Sequence, residues 1–107
     1  MRAHEIDWRS GTVLFWSLDR LDAGVPLDEQ RDRLDEEMAR VKFPDGALLE
    51  AGWSDGDGAS PPAFAVVVVR GPDWDEPVFR ARCSGLESLR EALAEAAAHT
   101  HATRAVD

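Results

Sequence analysis

The sequence predicts an α+β domain in which an antiparallel β-sheet carries two helices on one face. The run at 63–69 contains four consecutive valines, and β-branched side chains favour strands over helices. The segment at 78–83 alternates between two sets of residues with the period of a strand. The segments at 26–42 and 86–99 instead repeat apolar residues at helical spacing, which predicts one helix in each.

The predicted order of elements is β-α-β-β-β-α, which gives a two-layer sandwich. The strands are expected at 12–17, 47–53, 63–70 and 78–83. The links between the last three strands are short enough for hairpins, so these strands should form an antiparallel meander. Successive hairpins would place the loops at 54–62 and 71–77 at opposite ends of the sheet.

The two helices are predicted from their apolar stripes and their first turns. Pro26 suits the start of the first helix, because the first turn does not need its missing N–H. A narrow stripe follows at spacings of 7, 4 and 3 residues, formed by Leu27, Leu34, Met38 and Val41. Ser84 and Glu87 form a capping-box pattern at the start of the second helix.

Length and composition predict a single domain over residues 1–107, with a loose lead-in at 1–11 and a C-terminal tail at 100–107. Cys83 is the only cysteine, so an intramolecular disulfide is impossible. No apolar run has the length of a signal-peptide core or of a membrane span. These features predict a cytoplasmic protein that does not associate with membranes.

The formal net charge of −9 disfavours binding to nucleic acid or anionic lipid, because both need a basic surface. The same charge permits a basic protein partner, although it also simply keeps a small protein soluble. Residues 1–62 contain 14 acidic and 7 basic side chains, whereas residues 63–107 contain 7 and 5. Any acidic face is therefore expected to come mainly from the first half of the chain.

No pattern of catalytic, cofactor-binding or metal-binding residues is found, so none is predicted, and a non-enzymatic role is favoured. Cys83 precedes a predicted helix, a position where a thiol pKa can be lowered. Its alternation with Phe79 and Ala81 instead favours a buried, inert thiol. Arg80 and Arg82 alternate onto the other face of the same strand, where they could bind an anionic group or pair with nearby acids.

The leading functional hypothesis is a small acidic module that binds a basic protein. Trp74 lies among acidic residues, where it could anchor an interface or fold back over the end of the sheet. The residues proposed for the interaction are Trp74, Asp73, Asp75, Glu76, Asp32 and Glu36. The strand-strand-helix arrangement at 63–98 resembles, in architecture only, that of small antitoxin and immunity proteins. An inhibitor, antitoxin or immunity-type protein is therefore one form of this hypothesis.

The alternative is a dimeric ligand-binding or enzymatic domain with a pocket near Arg80, Arg82 and Cys83. The valine run has apolar residues on both faces, so helices on one face would leave the other face apolar. Such a face predicts a homodimer or another obligate partner. A twisted sheet that curls over its own second face is the competing explanation. A purely structural subunit of a larger assembly is a third possibility.

Overall fold

The computed structural model describes residues 1–56, 59–71 and 76–106, with the backbone alone for the last seven of these residues. Five antiparallel strands form one open sheet in chain order, so each strand pairs with the next. The strands are β1 (Thr12–Trp16), β2 (Ala39–Lys42), β3 (Ala47–Ser54), β4 (Ala63–Arg70) and β5 (Phe79–Cys83). A long helix, α1 (Leu86–Val106), follows the sheet. The α+β class and the antiparallel sheet are therefore confirmed.

One face of the sheet, the core face, carries the hydrophobic core. The strand registers align two rows on it, one through Trp16, Ala39, Ala51, Val66 and Ala81, the other through Val13, Val41, Leu49, Val68 and Phe79. Helix α1 packs against β4 and β5 and buries Leu89 and Leu93 completely. Each buried leucine contributes roughly 1.5–3 kcal/mol by leaving water.

The predicted helix at 26–42 is wrong, and with it the β-α-β-β-β-α order and the second helix on the core face. Only Leu27–Arg33 is helical, as a 3-10 segment interrupted by the non-helical backbone of Gln30 (φ −132°). Residues 39–42 form the strand β2 between β1 and β3. The other four strands lie within one residue of their predicted bounds.

The physical reason for β2 is visible in its alternation. Ala39 and Val41 are fully buried on the core face, while Arg40 and Lys42 point to the other side. The stripe that predicted a helix has only Leu27 and Leu34 in its first ten residues, and both are half-buried. Helical stability in proteins comes mostly from packing an apolar face, so this segment has too little to bury. The pairing of residues 39–42 with two strands is more favourable.

Both chain termini differ from the prediction. The lead-in is packed rather than loose, because Ile6 and Trp8 are buried in the core and Glu5 forms a 2.8 Å ion pair with Arg90 of α1. The indole of Trp8 donates a hydrogen bond to the Ala3 carbonyl. At the other end, the backbone stays helical to Val106, where a tail was expected from residue 100.

Candidate protein-interaction site

The segment that links β1 to β2, residues 18–37, is called the acidic connection below. It contains eight Asp and Glu residues and three arginines, so it carries −5 of the net charge of −9. All eight acidic side chains are exposed: Asp19, Asp22, Asp28, Glu29, Asp32, Asp35, Glu36 and Glu37. More than half of the net charge is therefore concentrated in one segment at one end of the sheet.

The buried amide of Gln30 holds the middle of the acidic connection. Its side-chain oxygen accepts a hydrogen bond from the Asp22 backbone N–H, and its side-chain nitrogen donates to the carbonyls of Asp22 and Val25, all at 2.9 Å. Gln30 is 2% exposed. Leu18 and Leu21 anchor the start of the segment in the core. The backbone that carries the exposed carboxylates is thus held in place by hydrogen bonds and by buried leucines.

The end of the acidic connection is held against β3. The backbone N–H of Trp53 donates a hydrogen bond to the Asp35 carbonyl at 2.7 Å, and the backbone N–H of Met38 donates to the Ala51 carbonyl at 2.8 Å. Between these bonds the backbone of Glu36 crosses directly over Gly52, where a Cβ atom would overlap the Glu36 carbonyl oxygen. Glycine in a strand often marks such a close approach of backbone. Gly52 therefore lets the acidic connection lie on the sheet.

Only part of the negative charge is neutralised. Exposed ion pairs join Arg20 to Asp35, Arg31 to Asp28 and Arg40 to Glu37. Such exposed pairs contribute little to stability. Across residues 1–56, 59–71 and 76–106, no ion pair involves Asp19, Glu29, Asp32 or Glu36. The segment therefore projects a negative field toward solvent.

Of the predicted interaction residues, the structure describes three, and these do not share one surface. Asp32 and Glu36 both lie in the acidic connection, at the end of the sheet where β1 leads to β2. Glu76 is exposed at the opposite end, in the link from β4 to β5. The predicted residues Asp73, Trp74 and Asp75 lie outside the described residues.

The three residues of the predicted ligand pocket do not converge either. Cys83 is buried on the core face, whereas Arg80 and Arg82 are exposed on the other face of β5. Burial raises the pKa of the Cys83 thiol, which outweighs the opposing effect of a hydrogen bond with Ser88. A buried thiol with a raised pKa is a poor nucleophile at neutral pH.

Gln30 and Gly52 organise the acidic connection, and sequence reasoning missed both. Gln30 lies in the segment at 26–42, where a helix was predicted, and a glutamine in a helix is expected to be a solvated side chain. Gly52 had a usable signal, because a glycine inside a strand often marks a bulge or a close backbone approach. Nothing local to Gly52 identifies Glu36 as the group that approaches it.

In the described part of the chain, no three His, Cys, Asp or Glu side chains form a group able to hold a metal ion. Helices long and apolar enough to cross a bilayer are absent from that same part. Comparison with protein-family models, curated proteins and solved structures gave no match.

Proposed function

We propose that this chain is a non-enzymatic protein-interaction module that binds a basic partner protein through the acidic connection. The observation that carries the proposal is the concentration of eight exposed carboxylates on one fastened segment. A cytoplasmic location and an inhibitory role, such as that of an antitoxin or immunity protein, are the specific form that we favour.

Electrostatic complementarity would act first on the rate of association. A concentrated negative field steers a basic partner toward the segment and can raise the association rate well above that of a neutral pair. Exposed charges are screened by salt over a Debye length of about 8 Å at physiological ionic strength. Binding should therefore weaken strongly as salt concentration rises.

Apolar contacts next to the carboxylates would add affinity. An open groove separates the acidic connection from the start of α1, and its lining includes Leu27, Trp53 and Leu86 beside Glu87 and the exposed Asp28–Arg31 ion pair. Lysine and arginine have apolar stems with charged heads, and arginine also stacks on aromatic rings. A groove of this composition suits a basic side chain of the partner.

The test combines capture with two charge-reversed variants. The protein would be immobilised with extract from its native source, and any captured protein would be identified and then titrated against the purified chain. Glu29→Lys with Asp32→Lys should weaken binding by about tenfold or more, since like charges replace attraction. Glu91→Lys with Glu95→Lys makes the same change in net charge on the exposed side of α1 and is the matched control.

The proposal predicts that the control variant binds the partner nearly as well as the wild type does. It also predicts that high salt weakens the wild-type complex. A partner that both variants bind equally would refute a role for the acidic connection. A captured protein whose affinity is the same in low and high salt would refute the electrostatic basis.

A further inference from the structure

The face of the sheet opposite the core face, called the second face here, has an ordered pattern of charge. Two neighbouring rows of residues cross the strands of this face, at the end of the sheet where the acidic connection lies. One row runs from Arg40 on β2 through Glu50 on β3 and Val67 on β4 to Arg80 on β5. The next runs from Gly52, which carries the Glu36 backbone, through Ala65 to Arg82.

These two rows place opposite charges on either side of β4. Glu50 and Glu36 lie on the β3 side, where Arg40 is paired with Glu50, and Arg80 and Arg82 lie at matching positions on the β5 side. Val67 and Ala65 separate them as half-buried apolar residues in the middle. A shallow depression lies between the two sides, and its lining includes Glu36, Glu50, Ala65, Val67 and Arg80.

Arg80 and Arg82 are exposed, and within the described ranges neither forms an ion pair. Arg82 donates a hydrogen bond to the Pro61 carbonyl, a neutral group that does not compensate the positive charge. On the acidic side, Glu50 accepts a hydrogen bond from Arg40 at 3.0 Å, and Glu36 has no such counter-ion in the same ranges. The face therefore offers charges of both signs to a partner.

We propose that the second face binds a second copy of this chain as a two-fold symmetric dimer. A two-fold interface brings the same patch of both copies together, so the patch must be complementary to itself. A two-fold axis parallel to β4, above Val67 and Ala65, sets the β3 side of one copy against the β5 side of the other. Glu50 would then face Arg80 of the second copy, and Glu36 would face Arg82.

The dimensions of sheets agree with this arrangement. Strands lie about 4.8 Å apart, so residues on β3 and β5 are about 10 Å apart within one sheet, and stacked sheets are also about 10 Å apart. Long arginine side chains can bridge such a gap. Because the axis is two-fold, each pair would occur twice, which gives four ion pairs around an apolar centre. Protein interfaces commonly have such an apolar core and a polar rim.

This inference goes beyond the proposed function, because it concerns a different partner, a second copy of the chain, and its contact residues share only Glu36 with the acidic connection. Glu29 and Asp32, the residues tested for the basic partner, are not part of the proposed dimer contact. Loss of dimerisation would therefore leave the test of the acidic connection valid, and failure of that test would leave the dimer proposal unchanged.

The experiment measures the mass of the purified chain by sedimentation over a range of concentrations, with a charge swap between Glu36 and Arg82. Wild type is expected to be a dimer. Glu36→Lys and Arg82→Glu should each weaken self-association by about tenfold or more, because each creates two repulsive pairs by symmetry. An equimolar mixture of the two variants should restore the dimer, because every pair in the mixed dimer is again attractive.

Two further variants keep the result interpretable. Glu95→Lys makes the same charge change as Glu36→Lys on the exposed side of α1, and it should leave the dimer intact. Arg80→Glu changes an exposed side chain and should also weaken the dimer, even if Arg82→Glu fails to fold after losing its bond to Pro61.

A monomeric wild type at every concentration would overturn the proposal. So would a dimer that survives Arg80→Glu, since another surface would then hold it together. If Glu36→Lys and Arg82→Glu both fold and their mixture stays monomeric, the pairing of these two residues is refuted.

Discussion

Replacing Gly52 by alanine tests how the acidic connection is attached to the sheet. The added methyl group would overlap the Glu36 carbonyl oxygen and come within 2.5 Å of its carbonyl carbon. Carbon atoms in contact are normally about 3.5–4.0 Å apart, so the two backbones must separate by about 1 Å or more. Neither group is the end of a flexible side chain, so no rotamer change can relieve the overlap.

The expected cost follows from the overlap and from the bonds beside it. Overpacking a well-packed site costs typically about 1–3 kcal/mol. Separation also strains the hydrogen bonds from Trp53 to Asp35 and from Met38 to Ala51. Each backbone hydrogen bond contributes about 1 kcal/mol net. We expect Gly52→Ala to lower the free energy of unfolding by about 2–4 kcal/mol.

Thermal and urea unfolding, followed by circular dichroism, would measure this loss. For a domain of this size, the expected change corresponds to a fall in Tm of about 10–25 °C. Gly24→Ala is the matched control, because its new Cβ would lie 3.4 Å from the nearest atom, a side-chain oxygen of Asp22, in an exposed turn. A Gly52→Ala protein that melts within a few degrees of the Gly24→Ala protein would refute the close approach of Glu36 to β3.

Two other substitutions test the remaining structural claims. Gln30→Ala removes three hydrogen bonds within the acidic connection and should lower the free energy of unfolding by about 2–3 kcal/mol. Glu29→Ala, at the neighbouring position, is the control and should have little effect. Urea unfolding measures both variants, and equal unfolding midpoints would contradict the role of Gln30. Cys83 should react with a thiol reagent at least about tenfold more slowly in the native protein than in urea, because it is buried. A Cys83→Ser, Ser84→Cys protein moves the thiol to an exposed neighbour and should react quickly in both states. Because the folded state raises the pKa of Cys83, its contribution to stability is present below the pKa of the unfolded chain and is lost as pH rises through the folded value. Wild type should therefore lose more stability at alkaline pH than Cys83→Ser, and parallel pH profiles would contradict the raised pKa.

The sheet was predictable wherever local pattern and burial agree. The valines at 66–69 favour a strand by their side-chain shape, and β4 occupies the predicted range. The leucines from Leu86 onward likewise placed the start of α1, but the structure puts the cap one residue later than the predicted Ser84–Glu87 box, where the Ser88 hydroxyl accepts a hydrogen bond from the Gly85 backbone N–H. These segments needed no information from distant residues, because propensity and periodicity give the same answer.

The segment at 26–42 was mispredicted because two periodicities compete within it. Leu34, Met38 and Val41 fit a helix, whereas Ala39 and Val41 alternate with charged residues as in a strand. The outcome depends on β1 and β3, which offer backbone partners on both sides of residues 39–42. Pairing with distant strands is a tertiary effect, so the local pattern could not decide between the two.

By itself, the sequence determined the α+β class, four of the five strands, the acidic charge and its bias toward the first half. These properties depend on composition and on short-range pattern. The tertiary structure alone decided that the carboxylates of 18–37 lie on an irregular segment held by Gln30, with Glu36 over Gly52. Alternation already separated Cys83 from Arg80 and Arg82, and the tertiary structure decided that the side of Cys83 is the buried core face. Strand register and backbone approach arise between residues far apart in the chain, and their geometry is set only when the sheet assembles.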